Sequence, residues 1–126
     1  MKRRNTGPSP AVVDLVLERA MYACEIAGCM VGDRRGVDWH LHHRRPRQAG
    51  GTRRRDTNLP PNLLLVCPPH HEEIESHRAE SYAVGWLLPQ NADPSAVPVL
   101  VQRDHWTYLT VDGRYGEAPP EVWRGA

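Results

Sequence analysis

The sequence predicts a single small α+β domain, and three observations predict it. Apolar residues at positions 12, 13, 16, 17 and 20 recur at the spacing of one helix face. The middle of the chain reads as strand (37–43), long loop (44–61), strand (62–66) and helix (70–84). Further on, 97–102 and 106–111 are apolar-rich strands around Arg103-Asp104-His105, the pattern of a hairpin. A chain of 126 residues is one domain, and its core is modest because a small domain buries a limited share of its surface.

Each element has a local reason. Residues 1–8 read as a disordered basic arm. Ser9 and Pro10 are an N-cap followed by a first helical position. Cys24-Glu25-Ile26-Ala27-Gly28-Cys29 reads as a tight knuckle, and Gly-Asp-Arg-Arg-Gly over 32–36 as a turn. Strand alternation puts Val37, Trp39, Leu41 and His43 on one face and Asp38, His40 and His42 on the other. Adjacent His42 and His43 therefore point apart unless the strand bends at its end. The loop pivots on Gly50-Gly51, and its length marks it as functional or disordered. Pro68-Pro69 opens the helix and Gly85 closes it. Residues 9–90 form the main domain. Residues 91–126 form a hairpin extension with a Pro-rich tail, where Trp106 and Tyr108 serve as a docking surface or simply extend the core.

Composition narrows the class. There is no Phe, aromatics are 6% and Pro outnumbers Gly 12 to 10, so a thin core gains from a staple such as a structural metal. Three Cys cannot all pair, which argues against a disulfide framework. No apolar run approaches a membrane span, and the basic start is followed by polar residues rather than a signal-peptide core. These features predict a cytoplasmic protein whose Cys serve a metal. Net charge is only +1, yet residues 34–55 hold eight Arg against one acid, a footprint of nucleic-acid binding. Arg44, Arg45, Arg47, Arg53, Arg54 and Arg55 are the candidate contacts to a DNA backbone, which position without reading sequence.

Two constellations carry chemistry. Cys24-x4-Cys29 and Cys67-x2-His70 are two clips whose four soft ligands suit a closed, tetrahedral structural Zn²⁺. The second group is His42, His43, Asn62 and His71, with Glu75 one turn beyond His71 on the same helix face and better placed than His77. Hydrolysis of a phosphodiester needs a metal to stabilise charge, a base for water, and a group holding that base in one tautomer.

These residues resemble a known family. Cys24-x4-Cys29, His42-His43-x2-Pro46-Arg47-x2-Gly50-Gly51 and Asn62-Leu63-x3-Cys67-x2-His70-His71 are similar in order and spacing to the HNH endonucleases, in particular the small zinc-clipped type of actinobacteria and their phages. The resemblance covers about residues 20–90. It implies a ββα-metal (His-Me finger) core with an N-terminal helix, a structural zinc clip and a C-terminal β-hairpin extension. It also implies His43 as general base, His42 and His71 as ligands of a catalytic ion, and Asn62 as the residue that orients the base or constrains the loop. Glu75 stands where some branches carry a further His ligand. His70 replaces a usual Cys, and His42 an Asp common in many members. The expected activity is metal-dependent DNA cleavage of low sequence specificity, nicking or cutting both strands, with Mg²⁺, Mn²⁺, Ni²⁺ or Zn²⁺. It would be carried out by a monomer or weak dimer, with a phage terminase as a further partner. A zinc-stapled nucleic-acid-binding module without catalysis is the alternative.

Overall fold

A computed structural model of the chain describes residues 7–47 and 54–117. The arm over 1–6, the Gly50-Gly51 pivot, Arg53 and the tail beyond 117 lie outside the described residues. Within them the protein is a mixed α+β domain with three α-helices and two small antiparallel sheets.

Helix α1 spans Pro10–Arg19, and the Ser9 side chain accepts a hydrogen bond from the Val12 amide at 3.2 Å. It ends because Met21 (φ 53°) and Tyr22 (φ 58°) turn left-handed, a conformation that costs non-glycine residues energy. The knuckle follows, closed by Cys24 N donating to Cys29 O (2.8 Å) and Gly28 N to Cys24 O (2.7 Å).

Strand β1 is shorter than the pattern suggested, spanning His40–His43 rather than 37–43. The preceding residues close a turn instead: Asp38 N donates to Arg34 O (2.7 Å), and the Asp38 carboxylate accepts from Arg34 N (2.9 Å). Strand β2 (Leu63–Val66) pairs antiparallel with β1, with His40 opposite Val66, His42 opposite Leu64 and His43 opposite Leu63. Between them the described residues make two 3₁₀ turns, Arg55–Asn58 and Pro60–Asn62, so Asn62 closes a turn rather than opening the strand.

The expected single helix over 70–84 is two. Helix α2 is Pro68–Ser76 and α3 is Arg78–Ala83, broken at His77 (φ −125°, ψ 63°). The Ser81 hydroxyl donates to the Ile74 (3.1 Å) and His77 (2.8 Å) carbonyls, competing locally with helical bonding. Gly85 (φ 80°) ends α3, and any Cβ there would lie 2.2 Å from Pro98 O. The C-terminal hairpin gains a third strand: β3 (Val99–Val101), β4 (His105–Leu109) and β5 (Tyr115–Gly116) form one antiparallel sheet.

The β1–β2 ribbon has different neighbours on its two faces. Leu64 and Val66 pack with Ile74 of α2, the knuckle and the C-terminal sheet, so that sheet shares the main core. Leu63 and Leu65 pack with Trp39 and with Val16 and Ala20 at the α1 end. A buried polar link crosses this second side. Arg19 donates from Nε and Nη2 to both Glu25 carboxylate oxygens (2.9 and 2.8 Å), while Leu65 N and Tyr115 Oη also donate to Glu25 (2.7 and 2.6 Å). Glu25 N donates to Leu65 O at 2.7 Å, so the knuckle is sewn to β2. Its full satisfaction makes this buried pair tolerable, since an unpaired buried charge is costly.

Candidate metal centres

The knuckle and the start of α2 bring Cys24, Cys29, Cys67 and His70 together, with ligand atoms all within 4.8 Å of one another. Cys29 Sγ lies 3.9 Å from Cys67 Sγ, and Cys67 Sγ 2.9 Å from His70 Nδ1. These residues lie close enough to hold a metal ion. Burial and the neighbouring thiols of Cys24 and Cys29 push the Cys67 thiol up to about 11, against a hydrogen bond from the His70 backbone. A divalent cation reverses such a shift, because a coordinated thiol gives up its proton.

A second group stands on the other side of the same helix turn. His42, His71 and Glu75 also have ligand atoms within 4.8 Å of one another. Consecutive helical residues point about 100° apart, which is how His70 and His71 reach different clusters. His42 Nε2 lies 2.7 Å from Trp86 O; as the donor there, it leaves Nδ1 for an ion. A backbone carbonyl fixing the second ring nitrogen is the common arrangement around a metal-bound histidine. Burial pulls His42 down to about 4, with the charges of His71, His43 and Arg44 acting the same way. Burial and then His40 lower His71, with Glu75 opposing. Glu75 is exposed and accepts from Arg78 Nη1 at 2.8 Å.

His43 faces the other way. The ladder stays in register through His43–Leu63, so His43 lies on the ribbon face of Leu63 and Leu65, opposite His42. No bend brings the pair to one side. His43 Nε2 lies 2.8 Å from Asn58 Oδ1; since that oxygen only accepts, Nδ1 is left to take a proton. Burial lowers the His43 pKa, as do Arg47 and Arg35, against the Asn58 bond. Asn62 is not the orienting group. Fully buried, it accepts from Arg45 N (2.7 Å) and donates to the Arg45 and Thr57 carbonyls (3.1 and 2.9 Å), so its side chain locks the loop.

The arginines divide. Arg44 is 0% exposed and donates to the carbonyls of Gly85, Pro61, Pro94 and Val97 at 2.8–2.9 Å. Arg45 is 2% exposed and bridges Asp56 and the Ala92 carbonyl. Both were expected on a DNA backbone, and their burial removes them from it. Arg47, Arg54 and Arg55 are exposed, with Arg54 donating to Gln90 O.

Three partners escaped the sequence reading. Asn58 sits in the loop where the Asn62 motif drew attention instead. The Trp86 carbonyl is backbone and has no residue-type signal. His40 alternates with His42 and brings its ring centroid to 5.0 Å from that of His71, a signal that strand periodicity did contain. No family model, curated protein or solved structure matches the chain. Among the described residues, no helix is long and apolar enough to cross a membrane.

Proposed function

We propose that this protein is a metal-dependent DNA endonuclease of the HNH type, built on a ββα-metal core. Its Cys24–Cys29–Cys67–His70 cluster would hold a structural Zn²⁺, and His42, His71 and Glu75 a catalytic divalent ion. The observation that carries the reading is the pairing of these clusters on one helix start, beside a strand–strand–helix unit. Three thiols with one imidazole suit Zn²⁺, whereas two imidazoles with one carboxylate leave coordination positions open. When bound, an ion at the second cluster would supply charge neutralisation at a phosphate and its leaving oxygen.

The chain's own residues supply the rest. Neutral His43, with its tautomer set by Asn58, takes the proton of an attacking water through Nδ1. The exposed Arg47, Arg54 and Arg55 hold phosphate oxygens, and contacts of that kind favour low sequence specificity. The test is supercoiled plasmid incubated with Mg²⁺, Mn²⁺, Ni²⁺ or Zn²⁺ against a chelator control. Nicking or linearisation that His43→Ala and His71→Ala abolish is the expected result.

A second reading has its own observation. His43 lies on the ribbon face opposite the His42–His71–Glu75 cluster. A zinc-stapled module that binds nucleic acid without cutting would have no need to unite base and ion. DNA binding with no cleavage under any of the four ions selects that reading.

A further inference from the structure

Of the histidines that the endonuclease reading leaves without work, His40 is the one whose ring meets a proposed ligand, His71. It stands opposite Val66, and His42 opposite Leu64, two positions that pack with Ile74 of α2. Both imidazoles therefore project from β1 toward α2, where His71 meets them. The His71 ring centroid lies 5.0 Å from that of His40 (tilted 33°) and 5.5 Å from that of His42 (tilted 64°). Two imidazoles sharing one ion at about 2.1 Å per nitrogen have centroids about 3.2 Å from it and about 4.5–5.5 Å apart. The His40–His71 spacing falls in that range, but only the His42, His71 and Glu75 ligand atoms already lie within 4.8 Å of one another, so His40 has to turn its ring to join them. His40 is only partly buried, which leaves its ring room to turn toward the ion.

We infer that His40 is a third imidazole of the His42–His71–Glu75 centre and makes that centre prefer nitrogen-seeking ions over Mg²⁺. The inference rests on the endonuclease reading for the presence of an ion there. Its chemistry follows from donor type. Imidazole suits Zn²⁺, Cu²⁺ and Ni²⁺, while carboxylate and water suit Mg²⁺. Adding a third nitrogen to two nitrogens and one carboxylate oxygen moves the balance toward the first group. A six-coordinate ion held by these four residues would still have room for substrate and water.

The experiment reads metal binding rather than cleavage. Full-length protein that retains its first zinc is titrated with Ni²⁺ and with Mg²⁺ by calorimetry, as wild type, His40→Ala and His40→Gln. X-ray absorption on the Ni²⁺-loaded proteins counts imidazoles. Ni²⁺ affinity should fall by at least the roughly 10- to 100-fold that even outer partners of a ligand are worth. Mg²⁺ affinity should hold, and the count should drop from three imidazoles to two. His40→Gln keeps a side chain of similar reach, and unchanged melting of either variant shows that the fold is intact. Equal Ni²⁺ affinity and equal imidazole count in wild type and variants overturn the role of His40 alone. A wild type that takes up no second ion overturns this inference and the catalytic centre together.

Discussion

The two clusters share a helix start and differ in every other respect. Cys24, Cys29, Cys67 and His70 bring four soft ligands from two clips, enough to fill a tetrahedral ion. His42, His71 and Glu75 bring three mixed ligands and lean on a carbonyl from residue 86. With an ion bound, the first cluster would fasten the knuckle to α2, and the second would receive its helix ligand from that fastening. Dependence should therefore run one way: the four-ligand cluster holds His71 in place, but His71 does little for the four-ligand cluster.

Removing the ion from the four-ligand cluster is the strongest way to break this asymmetry. A structural zinc contributes on the order of 10 kcal/mol in small domains, and this core is small and without Phe. Chelation of zinc, or Cys67→Ala, should abolish cooperative melting and, with it, binding at the second centre. Circular dichroism during chelation reads the first effect and calorimetry the second. His71→Ala should leave melting and the first zinc intact. A chelated protein that still melts cooperatively would show that the hydrophobic core alone holds the knuckle.

Cleavage is the next largest effect. His43→Ala should cost on the order of 10²- to 10⁴-fold in nicking rate, the usual worth of a general base, with melting little changed. Asn58→Ala should cost less, since it frees the tautomer without removing the base. The acid limb of the rate should lie below the ordinary histidine range, because burial and the charges of Arg47 and Arg35 keep His43 neutral. Equal rates in wild type and His43→Ala would give the proton transfer to another group and favour a base on the His40–His42 face.

What the sequence disclosed about these regions follows from what side-chain types can encode. Both clusters were legible because close spacing and helical or strand period fix which ligands face one another. The division of His70 from His71 was legible for the same reason. The arginines were not, because composition records a charge and not its direction. Arg44 and Arg55 look alike in the chain, yet one is sealed inside and the other is exposed. The groups that draw Arg44 inward are the carbonyls of Gly85, Pro61, Pro94 and Val97, and a backbone carbonyl has no residue-type signature. The break at His77 was hidden similarly, since neither Gly nor Pro marks it. Glu25 offered a clue: it is the single acid between the knuckle cysteines, and it proves to be buried against Arg19.

That contrast among the arginines can be measured. Arg44→Ala leaves four carbonyls without their donor and should cost about 3–5 kcal/mol, as for a broken buried polar link. Glu25→Ala, which strands Arg19, belongs in the same range. Arg54→Ala and Arg55→Ala should leave stability within about 0.5 kcal/mol. Each should instead lower the slope of log binding constant against log salt by about 1, as one phosphate contact is lost. Chemical denaturation and DNA titration over a salt series separate the two classes. A stable Arg44→Ala with weakened DNA binding would reverse the assignment.

The smallest effect is the pH dependence of the three-ligand centre in protein that carries the first zinc but no second ion. Burial holds folded His42 at about 4, against about 6.5 for an unfolded imidazole. Between those values the unfolded chain binds a proton that the folded chain does not. Stability from this residue is therefore complete above pH 6.5 and is lost progressively as pH falls toward 4. The shift is worth about 3 kcal/mol at its full extent. His42→Gln keeps a polar side chain and removes the titration, so its unfolding free energy should be flatter than wild type between pH 6.5 and 5. Stopping at pH 5 limits interference from the thiolate cluster, whose own loss of zinc on acidification would be common to both proteins. Addition of Ni²⁺ should deepen the wild-type dependence, because proton and ion compete for the same imidazole nitrogens. Parallel pH curves for wild type and His42→Gln would mean that His42 is more hydrated than its burial implies, and would weaken its claim to an ion.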